Sequence, residues 1–321
     1  MLFEPFYSLR PWGGQRLARE LGKNVPAEKK PCGEVWELSD HPDGRSSIAN
    51  GPYAGMEFGE LVRRFPRGMC GVDAPPERFP LLVKYLDVGD DLSIQVHPAD
   101  HNAPPGDRGK TECWYIMDCA DGTELILGVS PGVDARRLAE AARTGRMEPC
   151  VRRVPIRPGD FIYLPAGTIH AALAGTLICE VQQSSNTTYR LWDWGRKPLR
   201  PLHIEQAVAV AQYDPARNPE PVHVPDLPGG GWRRLARNDT FEVRTARWDG
   251  GEAEENRSAN RHGLILNVVE NGGRLVSGGG AAETLLTGQT WYLPAGLDQW
   301  RLEAGPDGLR VLLSESLEFA P

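Results

Sequence analysis

GDFIYLPAGTIH (159–170) and GQTWYLPAGLDQ (288–299) share one spacing: Gly, five residues, Pro, one residue, Gly, two residues, then a final position. The final position is His170 in the first copy and Gln299 in the second. Alternating apolar residues before a Pro describe a strand that stops at Leu164 or Leu293, with glycines turning the chain on either side. The phrase itself is therefore structural, and its last position is free for chemistry that only the first copy uses. A looser match extends the repeat. WYIMDCADGTEL (114–125) resembles LNVVENGGRLV (266–276) when Asp118 is set against Glu270, which places Glu112 opposite Leu264. The first half is longer between its two matching segments by about one polar helical stretch, VDARRLAEAARTGRM (133–147). One β-fold used twice, with a helix spliced into the first copy, is the reading.

The rest of the chain agrees with a mainly β fold. The 321 residues include 36 Gly and 28 Pro, which favour short strands and tight turns over long helices. FPLLVKYLDV, DLSIQVHP, TECWYIMD, AGTLICEVQQ and TTYRLWDW read as strands, and MEFGELVRRF (56–65) as a short helix. Asn271-Gly272 is a hairpin signal. Residues 213–231 are rich in Pro and Gly and read as a linker. The expected domains are 1–212, the linker 213–231, and 232–321. A net charge of −7 argues against nucleic acid or an anionic membrane as partner, while leaving room for a phosphorylated metabolite. The start, MLFEPFYSLRPWGG, lacks the apolar region of a signal peptide, and no stretch is long enough to span a bilayer. Six cysteines without a C-x-x-C pair fit a reduced, cytoplasmic protein.

In LSIQVHPAD, side chains two apart share a face, so Ser93, Gln95 and His97 point one way and Ile94 and Val96 the other. The same rule groups Lys110, Glu112 and Trp114 in GKTECWYI. With His170, three strand-like segments offer an amide, two imidazoles and a carboxylate, a set suited to one divalent metal ion. His101 competes as a ligand but sits in the irregular HPADHNAPPG loop.

These residues resemble a known family. The spacing G-x5-P-x-G-x2-H is similar to the second cupin motif. QVHP, GKTECWY, YLPAGTIHA and TTYRLWDWGR, with PWGGQRL, GEVWELSDH and SIANG upstream, resemble type I mannose-6-phosphate isomerases of the short bacterial form. The resemblance covers most of residues 10–205. It implies one zinc ion per chain held by Gln95, His97, Glu112 and His170, and interconversion of mannose 6-phosphate and fructose 6-phosphate through an enediolate. It also implies active-site roles for Arg190, Lys110 and Glu180. The substrate's phosphate needs cations or amides, for which Ser93, Lys84 and Arg196 are the candidates. Arg190 has a competing structural role, an ion pair with Asp193.

The expected architecture is two cupin-like, jelly-roll β-barrels, the first catalytic and the second metal-free, in a monomer or homodimer. Trp291 and Trp300 read as core or interface residues of the second, not as sugar platforms. Three other functions compete: an iron or manganese cupin oxygenase, a non-catalytic sugar-binding or regulatory cupin, and an isomerase of a related sugar phosphate.

Overall fold

The structure is a computed structural model and describes residues 1–225, 230–256 and 261–319. In chain order the first half contributes β1 (Phe6–Gly14), β2 (Cys32–Leu38), α1 (Phe58–Arg64), β3 (Leu81–Val88), β4 (Ile94–Val96), β5 (Glu112–Cys119) and β6 (Glu124–Val129). There follow α2 (Ala135–Thr144), β7 (Val151–Pro155), β8 (Asp160–Leu164), β9 (His170–Ala172), β10 (Thr176–Gln183), β11 (Tyr189–Trp192), α3 (Ile204–Val210) and β12 (Val222–His223). The second half holds β13 (Arg233–Arg237), β14 (Phe241–Trp248), β15 (Ala253–Asn256), β16 (Leu264–Ser277), β17 (Ala282–Leu285), β18 (Thr290–Leu293) and β19 (Trp300–Ser316).

Two antiparallel sheets face each other in the first half. One has the order β12-β8-β5-β10-β3-β1-β2, the other β7-β6-β9-β4-β11. A third sheet, β13-β14-β19-β16-β17, forms the second half, with β15 on β19 and β18 on β16. The fold is mainly β, as its composition implies. The strand pairings among the described residues form open sheets and close no barrel.

The seven-stranded sheet is buried on both faces. Val83, Tyr85, Cys113, Tyr115, Cys179 and Val181 point toward the second half and share one apolar core with Val243, Ile265, Tyr292 and Leu312. Their neighbours Leu86, Trp114, Ile116, Ile162 and Ile178 point the other way, toward Leu125 and Leu127 of the five-stranded sheet. Period-two alternation thus assigns every second side chain to the interior of the first half. The outer face of the five-stranded sheet is covered by α2 and α3 through Leu138, Ala142 and Ala207. Asp134 caps α2, accepting from Arg137 N at 2.7 Å, and Gly145 ends it at φ +68°, which trims the expected helix at both ends.

The repeat read from the sequence extends to strand register. Leu164 lies opposite Glu112 and Phe161 opposite Tyr115; in the second half Leu293 lies opposite Leu264 and Thr290 opposite Asn267. Glu180 pairs with Trp114, and Leu313 with Leu266. Even the bulges recur. One follows Ile116–Ile178 in the first half and Val268–Val311 in the second, and another follows Trp36–Lys84 and Arg234–Arg244. Glu112 and Glu180 are thus matched by Leu264 and Leu313, which lie in an apolar core with Trp248, Trp291 and Trp300.

Two expectations change. Asn271-Gly272 makes no hairpin, because β16 runs straight through it and pairs with β19 on both sides. Asn271 takes φ +58° and Gly273 resumes the ladder, so a residue pair that tolerates left-handed backbone serves a bulge instead of a turn. The stretch 213–231 is partly tied down, since β12 pairs with Asp160–Phe161 of β8. All six cysteines are free thiols.

Phe58 of α1 stacks edge-on with Phe3, Phe79 and Tyr292, so it touches both halves. Phe58→Ala is expected to cost about 3–5 kcal/mol and to lower one common unfolding transition. Tryptophan fluorescence and circular dichroism in denaturant check this, and separate transitions for the two halves would contradict the shared core.

Candidate active site

Two cross-strand rows build the site, one on each sheet of the first half. On the five-stranded sheet the register sets His170 beside Gln95 and Gln95 beside Arg190. On the seven-stranded sheet it sets Trp114 beside Glu180, Glu180 beside Lys84, and Lys84 beside Trp36. Glu112 lies on the same inward face as Trp114, one alternation along β5.

His97, Glu112 and His170 converge, their ligand atoms all within 4.8 Å of one another and all buried. His170 Nε2 is 3.2 Å from Glu112 Oε1, and His97 Nε2 is 3.6 Å from Oε2. The other imidazole nitrogens are committed: His97 Nδ1 donates to the Thr187 carbonyl and His170 Nδ1 to the Thr168 carbonyl, each at 2.9 Å. A carbonyl only accepts, so both Nε2 atoms carry lone pairs. Both lone pairs turn toward the buried Glu112 carboxylate, beside which the Lys110 ammonium also lies. Two imidazole nitrogens and a carboxylate converging in this way are a donor set that fits a divalent ion. Gln95 reaches the same point, its amide 3.3 Å from His170 Nε2 and its other end 3.3 Å from Ser93 Oγ. The amide's oxygen and nitrogen exchange by a flip, which turns the oxygen to the cluster. Gln95, His97, Glu112 and His170 are the residues that would hold the ion.

Beside the cluster lies a buried charge network. Lys110 Nζ is 2.6 Å from Glu112 Oε2, 3.1 Å from His97 Nε2 and 3.9 Å from Glu180 Oε1. Lys84 Nζ lies 3.6 Å from Glu180 Oε2 and 3.8 Å from Glu34 Oε2, and over the Trp36 ring at 4.8 Å. Trp114 Nε1 donates to Glu180 Oε1 at 2.9 Å. Burial pushes the Glu180 carboxyl upward, reinforced by the Glu112 charge, while Lys110 and Lys84 oppose it. Burial would also raise Glu112, but the neighbouring Lys110, His97 and His170 together outweigh it and hold that carboxyl well below its usual range. Two carboxylates 68 positions apart in sequence are thus driven in opposite directions within one network, although Lys110 lowers both.

A cavity of about 230 Å³ opens onto this network. Its wall carries five cationic side chains (Arg10, Lys84, Lys110, Arg190 and Arg200) against the carboxylates of Glu34 and Glu180. A positive cavity in a chain of net charge −7 is suited to a small anion. Ser93, Gln95 and Lys84 line it. Arg196 does not. Its guanidinium is taken up by Asp193 at 2.8 Å, Asp90 at 3.0 Å and the Asp91 carbonyl.

Arg190 forms no ion pair with Asp193, whose oxygens are occupied by Arg196 and Arg200. It donates instead to Ser93 Oγ at 3.2 Å and to the Pro201 carbonyl at 2.9 Å. Arg10, Glu34 and Arg200 are the charged lining residues that sequence reasoning missed. Arg10 and Glu34 form a two-pronged ion pair (2.8 and 3.2 Å) across neighbouring strands, and both lie in segments, PWGGQRL's approach and GEVWELSDH, already singled out for other reasons.

Known proteins resemble this chain in sequence and in fold. A profile of the phosphomannose isomerase type I catalytic domain matches residues 2–119, which include Gln95, His97, Lys110 and Glu112. The chain is 36% identical over 311 residues to the mannose-6-phosphate isomerase ManA of Bacillus subtilis, covering 94% of this chain and 95% of that one. The chain belongs to the type I phosphomannose isomerase family. Another member, from Streptococcus mutans, is 35% identical over 314 residues, 96% of this chain and 95% of its own. The crystal structure of the Bacillus subtilis mannose 6-phosphate isomerase superposes with a TM-score of 0.80 at 33% identity, covering 98% of both chains. An apo structure from Salmonella typhimurium, at 17% identity and a TM-score of 0.75, shares the fold.

Within this family member, His170→Gln copies the residue of the second half. The variant is expected to lose most bound divalent metal while its melting temperature without metal stays within a few degrees of the parent's. Elemental analysis after dialysis checks it, and undiminished metal content would remove His170 from the ligand set.

Proposed function

We propose that the chain is a zinc-dependent aldose–ketose isomerase that interconverts mannose 6-phosphate and fructose 6-phosphate. The observation that carries the proposal is the buried His97–Glu112–His170 cluster next to a small cationic cavity that Gln95, Lys110 and Glu180 line. Family membership supplies the substrate. The ligand set also suits manganese or iron, and zinc is chosen on the family resemblance.

The isomerisation moves a proton between C1 and C2 of an open-chain sugar. Bound by Gln95, His97, Glu112 and His170, a zinc ion would act as a Lewis acid on the sugar's oxygens. Glu180 is the carboxylate assigned to the proton. Its raised pKa suits a group that must accept and return one near neutral pH, and Trp114 fixes one of its oxygens. Lys110, kept charged by Glu112 and Glu180, faces the negative charge that develops on the enediolate oxygens. Arg190, held through Ser93 to the Gln95 row, stabilises the same charge from the other sheet. The phosphate is assigned to the arginine side of the cavity, where Arg200 is braced by Asp193 and Arg10 by Glu34. Ser93 and Lys84 remain candidates for the same end, and Arg200 takes the role first given to Arg196.

The proposed domains are a catalytic module (1–212), a connecting segment (213–231) and a metal-free module (232–321), both modules cupin-like. The recurrence of register and bulges supports this division. Leu264 and Leu313 in place of Glu112 and Glu180 support a single working site.

Coupled-assay turnover of mannose 6-phosphate by purified protein tests the proposal. Activity is expected to vanish on chelation and return with zinc. A folded, zinc-loaded sample that leaves mannose 6-phosphate unchanged would overturn it. Glu180→Gln is expected to lower kcat by roughly 10²–10⁴-fold. Arg200→Ala should leave kcat much closer to the parent's and raise KM by about 10-fold or more, the loss of one charge-assisted hydrogen bond.

A further inference from the structure

The loop of residues 184–188 (Ser184, Ser185, Asn186, Thr187, Thr188) joins β10 to β11, and so connects the two rows that build the site. Asn186 and Thr188 line the cavity. The Thr187 carbonyl accepts the hydrogen bond from His97 Nδ1. This loop has no regular structure to hold that carbonyl in place, and its backbone amides need partners.

Asp107 supplies them. Its Oδ2 accepts from Thr187 Oγ1 at 2.6 Å, Thr187 N and Ser185 Oγ at 3.1 Å, and Asn186 N at 3.2 Å. Its Oδ1 accepts from Arg108 N at 2.9 Å and Arg78 Nη1 at 3.2 Å, with His41 Nε2 3.5 Å away. Arg78 also donates to the Ser184 carbonyl at 3.1 Å, closing the bracket around the loop. Asp107 lies outside the cavity lining and outside the ligand cluster.

We propose that Asp107 is a positioning residue for the metal cluster: by fixing residues 185–187 it holds the Thr187 carbonyl that keeps His97 in the Nδ1–H form with Nε2 free to bind the ion. The inference rests on reading the cluster as a metal site. An aspartate serves here where an asparagine does not. Two backbone amides and two hydroxyls converge on Oδ2, and a third amide and the Arg78 guanidinium on Oδ1, so an amide nitrogen at either place would meet donors with a donor.

The test is Asp107→Asn in the full chain, with two readouts. Zinc affinity, from competition with a chromophoric chelator, is expected to fall about 10-fold or more. In the metal-free protein, long-range ¹H–¹⁵N spectra of the histidines are expected to move His97 from the Nδ1–H tautomer toward Nε2–H. Thr187→Val, which removes one donor and keeps the carbonyl, should shift both readouts in the same direction by less. It also provides the measurement should Asp107→Asn fold poorly. Asp134→Ala, which uncaps α2 far from the loop, controls for loss of stability and should leave zinc affinity unchanged. Parent-like zinc affinity and an unmoved His97 tautomer in both loop variants would overturn the proposal. So would an equal loss of affinity in Asp134→Ala. Failure of the parent chain to take up zinc would overturn the metal reading as well, whereas the tautomer data bear on Asp107 alone.

Discussion

A sheet buried on both faces leaves no water for its charged residues, and that constraint organises the first half. Lys84, Glu112 and Glu180 stand on strands flanked by the shared apolar core on one side and the facing sheet on the other. A charge in that position must find a partner within the protein. Lys110 and Lys84 meet this need for Glu112 and Glu180, and the Trp114 indole adds a hydrogen bond. The same register aligns His97, Glu112 and His170 as donors that could hold a metal ion.

The second half shows what the same scaffold does without that demand. Its strands keep the register and the bulges, yet leucines occupy the positions of Glu112 and Glu180. The interior becomes a tryptophan-rich apolar core. Replacing buried charges with leucine is the thermodynamically simpler solution, so the charged version in the first half is explained by chemistry and not by folding. The second half also shares its core with the first. It covers Tyr85, Tyr115 and Cys179, which would otherwise expose the back of the seven-stranded sheet.

Much of this was legible from residue order because strand alternation is a local rule. Gln95 with His97, and Glu112 with Trp114, follow from period two alone, and the looser match of 114–125 with 266–276 aligned Glu112 with Leu264 as the register does. What failed to show was whatever depends on the chain's return path. Arg196 and Arg200 both sit in a polar loop after β11, and nothing local distinguishes the one that faces the cavity from the one that ties down Asp193 and Asp90. Asn271-Gly272 carries a turn's chemistry, but long-range pairing with β19 decides that the strand continues. Asp107 resembles any loop aspartate until the 184–188 segment arrives to use it.

The division of roles between the two facing sheets explains why precision of their packing matters. The five-stranded sheet supplies His170, Gln95 and Arg190, the first held by a backbone carbonyl. The seven-stranded sheet supplies Glu112, Glu180 and Lys84. No row contains a complete site, so the geometry of the reaction is the geometry of one sheet against the other. That spacing is set by the apolar side chains between them, Leu86, Trp114, Ile116 and Leu127 among them. The connections that cross at the site end, the 184–188 loop and the loop from His97 to Lys110, carry the remaining contacts to the ligands. A site divided in this way gains its rigidity from the core and its fine alignment from the crossing loops, which is why a carboxylate outside the cavity can govern an imidazole beside it.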